Sequence, residues 1–343
     1  MDSGSSLAPA IQVKYRKDES MGKVVLVISN TQDAHVDIIG KKIEERGIQW
    51  IRWDTDSILK RKLGYGLEAG DFLREASFEI ASRGILKENP DLSIWYRRPT
   101  PPVFSAEVEP HVKDYILREF DGWLSNMCLS IPGFWVSPYS SLQQSRSKLH
   151  QILAASKVGL LTPETLVTDR SDLAKEFWDR CKGRVVAKAF SVQNVEKGEE
   201  LLIINTKRVG EQDLPELVRF PCMLQREIKT IHELRVVVIG RRVFSFGIRS
   251  KIETADADLR LAGFQNLEHF EASLSQSSEK ALTCLLDYYG LSFCSADFLV
   301  TSGGEEFFVD LNPNGQWLWL EYVTGVSLSE HFVTMLEEGG LLR

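Results

Sequence analysis

Apolar residues along this chain come in short runs, and their spacing alternates between strand and helix periods. Lys23–Asn30 (KVVLVISN) is a continuous apolar run of strand length. Ala34–Arg46 has apolar residues at helical spacing and stops at Gly47, and Ile48–Trp53 is a second strand. This strand–helix–strand start predicts a small parallel sheet with a right-handed crossover. Phe78–Ser82 and Ser93–Arg97 are further strands, Pro99, Pro101 and Pro102 make a stiff break, and Glu107–Cys128 is a long helix. Pro132–Pro138 reads as a connector, which puts a boundary near Val136. Past it, Ser145 or Ser147 caps a helix that runs to Ser156 and ends at Gly159. Glu164–Thr168 is short and extended, and Asp172–Cys181 is helical. Strands are predicted at Arg184–Ala189, Leu201–Thr206, Cys222–Ile228, Glu233–Ile239 and Arg242–Arg249, with a tight hairpin at Gly240-Arg241. Glu279–Tyr289 and Leu328–Leu336 are helices. The fold class is therefore α/β followed by α+β.

One hairpin carries more chemistry than the rest. Two apolar runs flank Gly303-Gly304, a two-residue turn signal because both central residues can take positive φ. With the turn there, Val300 faces Phe307 and Asp297 faces Asp310. Ala296, Phe298, Val300, Phe307, Val309 and Leu311 form an apolar face. The other face sets Asp297 across from Asp310, and such a like-charged pair destabilises a sheet unless a cation lies between. Asn312 points to the same side, and two carboxylates with an amide carbonyl are hard oxygen ligands suited to Mg²⁺ beside phosphates. A solvated acidic face is the alternative. Trp317, Leu318 and Trp319 follow directly and weigh against free exposure.

Composition narrows the classes. The chain has 343 residues, 43% apolar and 26% charged, enough for two or three domains with a sizeable core. A net charge of −7 argues against generic nucleic-acid binding, and no apolar run approaches the length of a membrane span. Residues 1–20 are polar and Ser-rich and are expected to be a disordered N-terminal segment rather than a secretory signal. Five Cys with no Cys-x-x-Cys pair read as reduced thiols of a cytoplasmic protein.

Several other residues could carry chemistry. Lys188 sits among Val185, Val186 and Ala187, where burial is costly without an anionic partner. Either it faces an anion in a cleft or it reaches solvent from an edge strand. Lys148 opens a helix, where the dipole mildly disfavours a cation. Glu233 and Arg235 share a strand face, which is compatible with an ordinary ion pair. Gly64–Ala69 fits the dinucleotide glycine pattern but follows a basic polar segment, which excludes it. There is no phosphate-binding P-loop, kinase triplet or nucleophile elbow, so bound phosphates would be held by lysines and metal.

In order along the chain, Lys148, Lys188, Gln225-x-Glu227, Glu233-x-Arg235, and Asp297, Asp310 and Asn312 resemble the ATP-grasp ligase superfamily. The string D-L-N-P-N-G-Q-W-x-W-x-E at Asp310–Glu321 is similar to that of the graspetide synthetases, the macrocyclases that form microviridin-type ω-ester and ω-amide links. W-Y-R-R-P at Trp95–Pro99 and Asp258-Leu259-Arg260 support the likeness, Leu259 standing where the family often has Trp. Phe190–Glu200, the expected flap, has one Gly where such flaps are usually glycine-rich. The resemblance implies a pre-ATP-grasp parallel-sheet domain over 21–136, a central ATP-grasp subdomain with nucleotide lid and hinge over 137–228, and a C-terminal subdomain with the metal site over 229–343. It implies ATP and Mg²⁺ as cofactors. Lys148 and Lys188 would meet phosphates, the hinge at Gln225, Glu227 and Ile228 adenine, and Glu233 ribose. Asp297, Asp310 and Asn312 would hold metal. Arg235, Arg249 and Arg260 would serve catalysis, although a plain turn at Gly240-Arg241 puts Arg249 on the face opposite Arg235. Arg97 and Arg98 would bind substrate, with one of these adjacent residues facing the other way into a structural ion pair. The implied partner is a ribosomal precursor peptide with a leader segment. No nucleic acid or membrane is expected, and a homodimer is left open. An amino-acid ligase of the glutamate-adding or glutathione type shares the metal and phosphate residues and is the alternative. A non-enzymatic binding module predicts loss of the metal carboxylates, which are present.

Overall fold

The structure, a computed structural model, describes residues 22–60, 63–67, 76–80, 84–86, 91–105, 107–190, 194–197, 200–203, 206–252 and 263–339. The segment 1–20 and the Asp258-Leu259-Arg260 string lie outside the described residues.

The chain opens with β1 (Val24–Ser29), α1 (Ala34–Glu45) and the parallel strand β2 (Gln49–Asp54). Asp33 caps α1 by accepting from the His35 amide, 3.0 Å away. β3 (Leu63–Leu67), β4 (Ala76–Ile80) and β5 (Gly84–Leu86) form a separate antiparallel ladder, the middle strand falling where a strand was predicted at 78–82. β6 (Leu92–Tyr96) returns to pair with β1, and after α2 (Pro110–Ser130) the short β7 (Phe134–Trp135) completes a parallel sheet of order β2-β1-β6-β7. β1 lies inside this sheet, so both of its faces are covered and its run reads as continuously apolar.

The middle of the chain holds α3 (Tyr139–Ser145), α4 (Lys148–Lys157), β8 (Thr165–Thr168), α5 (Ser171–Arg180) and β9 (Val185–Lys188). Among the described residues β10 (Asn194–Lys197) and β11 (Glu200–Ile203) pair with each other, so the strand predicted at 201–206 belongs to a hairpin that begins within the expected flap. β12 (Lys207–Arg208), α6 (Leu214–Leu217) and β13 (Cys222–Arg226) complete an antiparallel sheet of order β12-β9-β13-β8. This part has its own small core, in which Phe177 of α5 packs with Val185 and Leu224.

The last part is an antiparallel sheet of order β16-β15-β14-β17-β18. Its elements are β14 (His232–Ile239), β15 (Arg242–Ser250), β16 (Leu267–Glu271), α7 (Gln276–Tyr289), β17 (Phe293–Val300), β18 (Glu306–Asn312), α8 (Leu318–Thr324) and α9 (Leu328–Glu338). Ile239 pairs with Arg242 across a two-residue turn, with Gly240 at φ 60°. α8 was not expected, because its short apolar run after a turn shows too few residues for a helical period.

The β17–β18 hairpin departs from its predicted form. Val300 pairs with Glu306, not Phe307, around a longer loop in which Gly304 alone takes positive φ, 81°. A register shift between Asp297 and Phe298 then absorbs Val309, so Asp297 still pairs with Asp310. Phe308 therefore enters the core while Phe307 and Val309 are only half-buried.

The first and last parts share their cores. Leu26 and Ile28 pack in one cluster with Leu234, Val236, Phe298 and Leu311, and Val25 and Val27 pack in another with Val237, Trp317 and Phe332. Arg46 of α1 also bridges Glu330 (2.8 Å) and Glu337 (2.7 Å) of α9.

Candidate active site

Leu234, Val236, Ala296, Phe298 and Leu311 point into the core, so strand alternation turns Glu233, Arg235, Asp297, Asp310 and Asn312 to the other face. Arg235 pairs with Asp297, and Asp297 with Asp310, across three adjacent strands. Arg235 Nε lies 2.8 Å from Asp297 Oδ1, and its Nη1 donates to Ser295 Oγ at 3.2 Å. The Asn312 carbonyl oxygen accepts from the Asn314 amide at 2.9 Å, a local turn that fixes the side chain and leaves its second lone pair.

Two lysines meet this face from the middle of the chain. Lys188 ends β9, and Lys148, the first residue of α4, donates to the Ala189 carbonyl at 3.0 Å. Burial lowers the pKa of Lys188. Asp310 opposes that, Lys148 adds to it, and Asp297 and Glu233 oppose it. Asp310, Lys148, Asp297 and Glu233 are therefore all near enough to Lys188 to act on its charge. Gln151, buried one turn after Lys148, sets the distance between α4 and β18. Its Oε1 accepts from the Leu311 amide at 3.0 Å, and its Nε2 donates to the Leu311 carbonyl at 2.7 Å and to that of Ser145 at 2.6 Å.

Other residues singled out from the sequence lie elsewhere. Gln225 is buried and donates to Thr165 Oγ1 at 3.0 Å, a sheet-stabilising bond. Glu227 pairs with Arg208 at 2.6 Å, and its amide is held by the Arg184 carbonyl at 3.0 Å. Ile228, half-buried, follows β13 at the start of the hinge. Arg249 is not brought to the cluster. With no bulge in β15 it lies on the opposite face from Arg235, is half exposed, and pairs with Glu268 at 2.8 Å. Arg260 is outside the described residues. Arg97 is only 1% exposed, so of the two adjacent arginines it is the one turned to an internal ion pair. It lies 3.3 Å from Asp33 and donates to the Asn314 and Gly315 carbonyls. Arg98, beside it, is exposed at the end of β6. Sequence reasoning missed Gln151, Asp33 and His35, because a single buried polar residue leaves no periodic signal.

The donor set fits Mg²⁺: two cross-strand carboxylates and an amide carbonyl, with cations placed to receive an anion. Among the described residues no group of three or more His, Cys, Asp or Glu forms a closed metal cage. Mg²⁺ at phosphates needs none, since it takes remaining ligands from the nucleotide and water. A cavity of about 230 Å³, lined in part by Phe134, Arg241, Asp287 and Met335, lies apart from these residues.

Residues 24–143 match the model of the MvdD pre-ATP grasp domain. A RiPP-associated ATP-grasp ligase from Chryseobacterium gregarium, solved in complex with ADP and a leader and core peptide, has the same fold. It is 27% identical with a TM-score of 0.82, over 92% of this chain and 96% of that one. The chain is similar in fold to ATP-grasp ligases, the graspetide macrocyclases among them. The macrocyclase MdnC from Microcystis aeruginosa MRC, bound with precursor peptide MdnA, is 25% identical with a TM-score of 0.79, over 91% of this chain and 98% of that one. MdnB from the same organism is 27% identical with a TM-score of 0.73, over 92% and 99%. No match was found among curated proteins. Among the described residues, no helix is long and apolar enough to cross a membrane.

Proposed function

We propose that the chain is an ATP-dependent peptide macrocyclase. It activates Asp or Glu side-chain carboxylates of a ribosomal precursor peptide as acyl phosphates. It then links them to Thr or Ser hydroxyls as esters, or to Lys amines as amides. The observation that carries this reading is that Lys148 and Lys188, joined through the Ala189 carbonyl, lie near the strand face that holds Glu233, Asp297 and Asp310, in a chain whose fold matches ligases solved with peptides and ADP.

The first step brings a carboxylate to an anionic triphosphate, so charge neutralisation is the main task. Lys148 and Lys188 would hold phosphate oxygens, and an arriving anion would favour the ammonium form of Lys188 that burial disfavours. Mg²⁺ held by Asp297, Asp310 and Asn312 would supply further neutralisation at the phosphates. Glu233 would orient the ribose, and backbone groups near Ile228 the adenine. Arg235, released in part from Asp297, would face the phosphoryl group in transfer. Atoms balance simply. A carboxylate oxygen takes the γ-phosphoryl group and ADP leaves; the hydroxyl or amine then attacks the acyl carbon, loses its proton, and phosphate leaves. Arg98 is the candidate peptide contact, and Arg260 a candidate catalytic residue. In this reading 21–136 is a pre-ATP-grasp domain, 137–228 the lid and hinge, and 229–343 the metal-bearing subdomain. The enzyme works in the cytoplasm on a peptide bearing a leader, and a homodimer is compatible with it.

The test is ADP release with Mg²⁺, measured with and without a candidate precursor. The proposal expects release that depends on a peptide carboxylate and disappears in Asp310→Asn. Equal release by that variant would contradict it.

A further inference from the structure

The Asn312–Leu318 segment is held from outside its own sheet. Arg97, at the end of β6, donates through Nη1 to the Asn314 carbonyl and, at 3.1 Å, to the Gly315 carbonyl. His35, at the start of α1, accepts through Nε2 from the amides of Trp317 at 3.2 Å and Leu318 at 3.3 Å. Asp33 joins the two, lying 3.3 Å from Arg97 Nε and 3.4 Å from His35 Nδ1. Two side chains of the N-terminal part, one after β6 and one on α1, thus hold four backbone groups of a turn in the last part of the chain.

That turn begins at Asn312, whose side-chain oxygen is oriented by the amide of Asn314. Gly315 packs so tightly against β17 that an added Cβ would lie 2.3 Å from Ser295 Cβ, so the turn has no room to settle elsewhere. Ser295 in turn receives Arg235 Nη1. Buried charge is expensive without a task, and Arg97 is buried with its charge directed at backbone carbonyls rather than into the cleft. A surface contact to substrate would not need that placement.

We infer that Arg97, backed by Asp33, is a positioning residue. It fixes the Asn312–Gly315 turn from the N-terminal sheet, so that the Asn312 carbonyl stays beside Asp297 and Asp310 and the site keeps its affinity for a divalent cation. This rests on the reading of those three residues as metal ligands.

The experiment measures Mn²⁺ binding in the presence of ADP, by loss of the free-ion paramagnetic resonance signal, in the full chain. The variants are Arg97→Lys, which keeps the charge but loses the planar guanidinium that sets Nη1 on both carbonyls while Nε faces Asp33, and Asp33→Asn/Arg97→Gln, which removes both buried charges together so that neither is left unpaired. The inference expects the Mn²⁺ dissociation constant to rise about tenfold in each folded variant, the loss of one well-placed ligand contact. Precursor KM at saturating metal should stay within about twofold of the parent. Unchanged Mn²⁺ affinity, or a raised precursor KM as the only effect, would overturn it and return Arg97 to the role of a peptide contact. Asp310→Asn separates this from the underlying assignment. If that variant binds Mn²⁺–ADP like the parent, the metal reading itself is wrong; if it does not, the Arg97 result bears on the positioning role alone.

Discussion

At the scale of single residues, Lys188 shows how function opposes stability. Burial lowers its pKa, so the folded chain without an anion strains to keep the ammonium. Lys188→Met should therefore weaken ATP binding at least tenfold by calorimetry while leaving the melting temperature equal or higher. Unchanged affinity would reduce it to a structural residue. Asp310→Asn should likewise abolish ATP turnover and hold or raise the melting temperature, since it removes one of two facing carboxylates. A lower melting temperature together with retained turnover would contradict the site. Asp33 and His35 give the fold an acid response. Burial alone would raise the Asp33 carboxyl, but the bond from His35 and the charge of Arg97 outweigh it and hold it at about 2. A carboxyl shifted from its ordinary value to about 2 contributes on the order of 2 kcal/mol. That stability is present above pH ~4 and lost as pH falls toward 2. Burial lowers the pKa of His35, and its Nε2 accepts two amides, so the folded chain resists protonation there. The unfolded chain takes up that proton below about pH 6.5, so stability starts to fall from that pH downward. Denaturant midpoints should decline in two stages, and His35→Gln should flatten the first. A midpoint constant from pH 7 to 5 in the parent would contradict this.

At the scale of elements, the acidic hairpin shows what patterning can reveal. The facing of Asp297 and Asp310 was legible because both strands alternate, yet the path to it was not. The turn is one residue longer than Gly303-Gly304 suggests, and the bulge at Val309 restores the register. Neither feature leaves a mark in a hydrophobic pattern, since Phe307, Phe308 and Val309 are all apolar and any of them could have faced inward. Arg249 was legible in the opposite sense, because a two-residue turn at Gly240-Arg241 already set it on the other face. Arg97 and Arg98 share a charge and a neighbourhood, and only the tertiary partner Asp33 separates them. Gln151 had no sequence signal, although it joins α4 to β18. Its removal in Gln151→Ala orphans both backbone groups of Leu311, each costing about 1–3 kcal/mol when buried without a partner. The variant should lose about 3 kcal/mol in chemical denaturation. A loss below about 0.5 kcal/mol would mean that the backbone finds other partners.

At the scale of the molecule, the first and last parts share two cores, one of which also takes in Leu142 of α3 and Ala154, Ala155 and Leu160 of α4 and its end, while the part from α5 to β13 keeps its own. The carboxylates thus ride on a body fused to the N-terminal sheet, and Lys188 rides on the smaller one. β18 meets the middle part where the Phe308 amide donates to the Leu161 carbonyl at 2.8 Å. This division suits a site that must admit a nucleotide and a peptide and then exclude water. Tethering the nucleophile to the same peptide gives it a high effective molarity, so ring closure needs no second substrate site. Mass spectrometry of a candidate precursor, a short peptide with repeated Thr and Glu or Asp motifs behind a leader, incubated with the enzyme, ATP and Mg²⁺, tests this most directly. The account predicts a product lighter by one water for each link, with one ADP and one phosphate formed each time. A product heavier by one residue, formed only when a free amino acid is added, would contradict it and make the chain an amino-acid ligase.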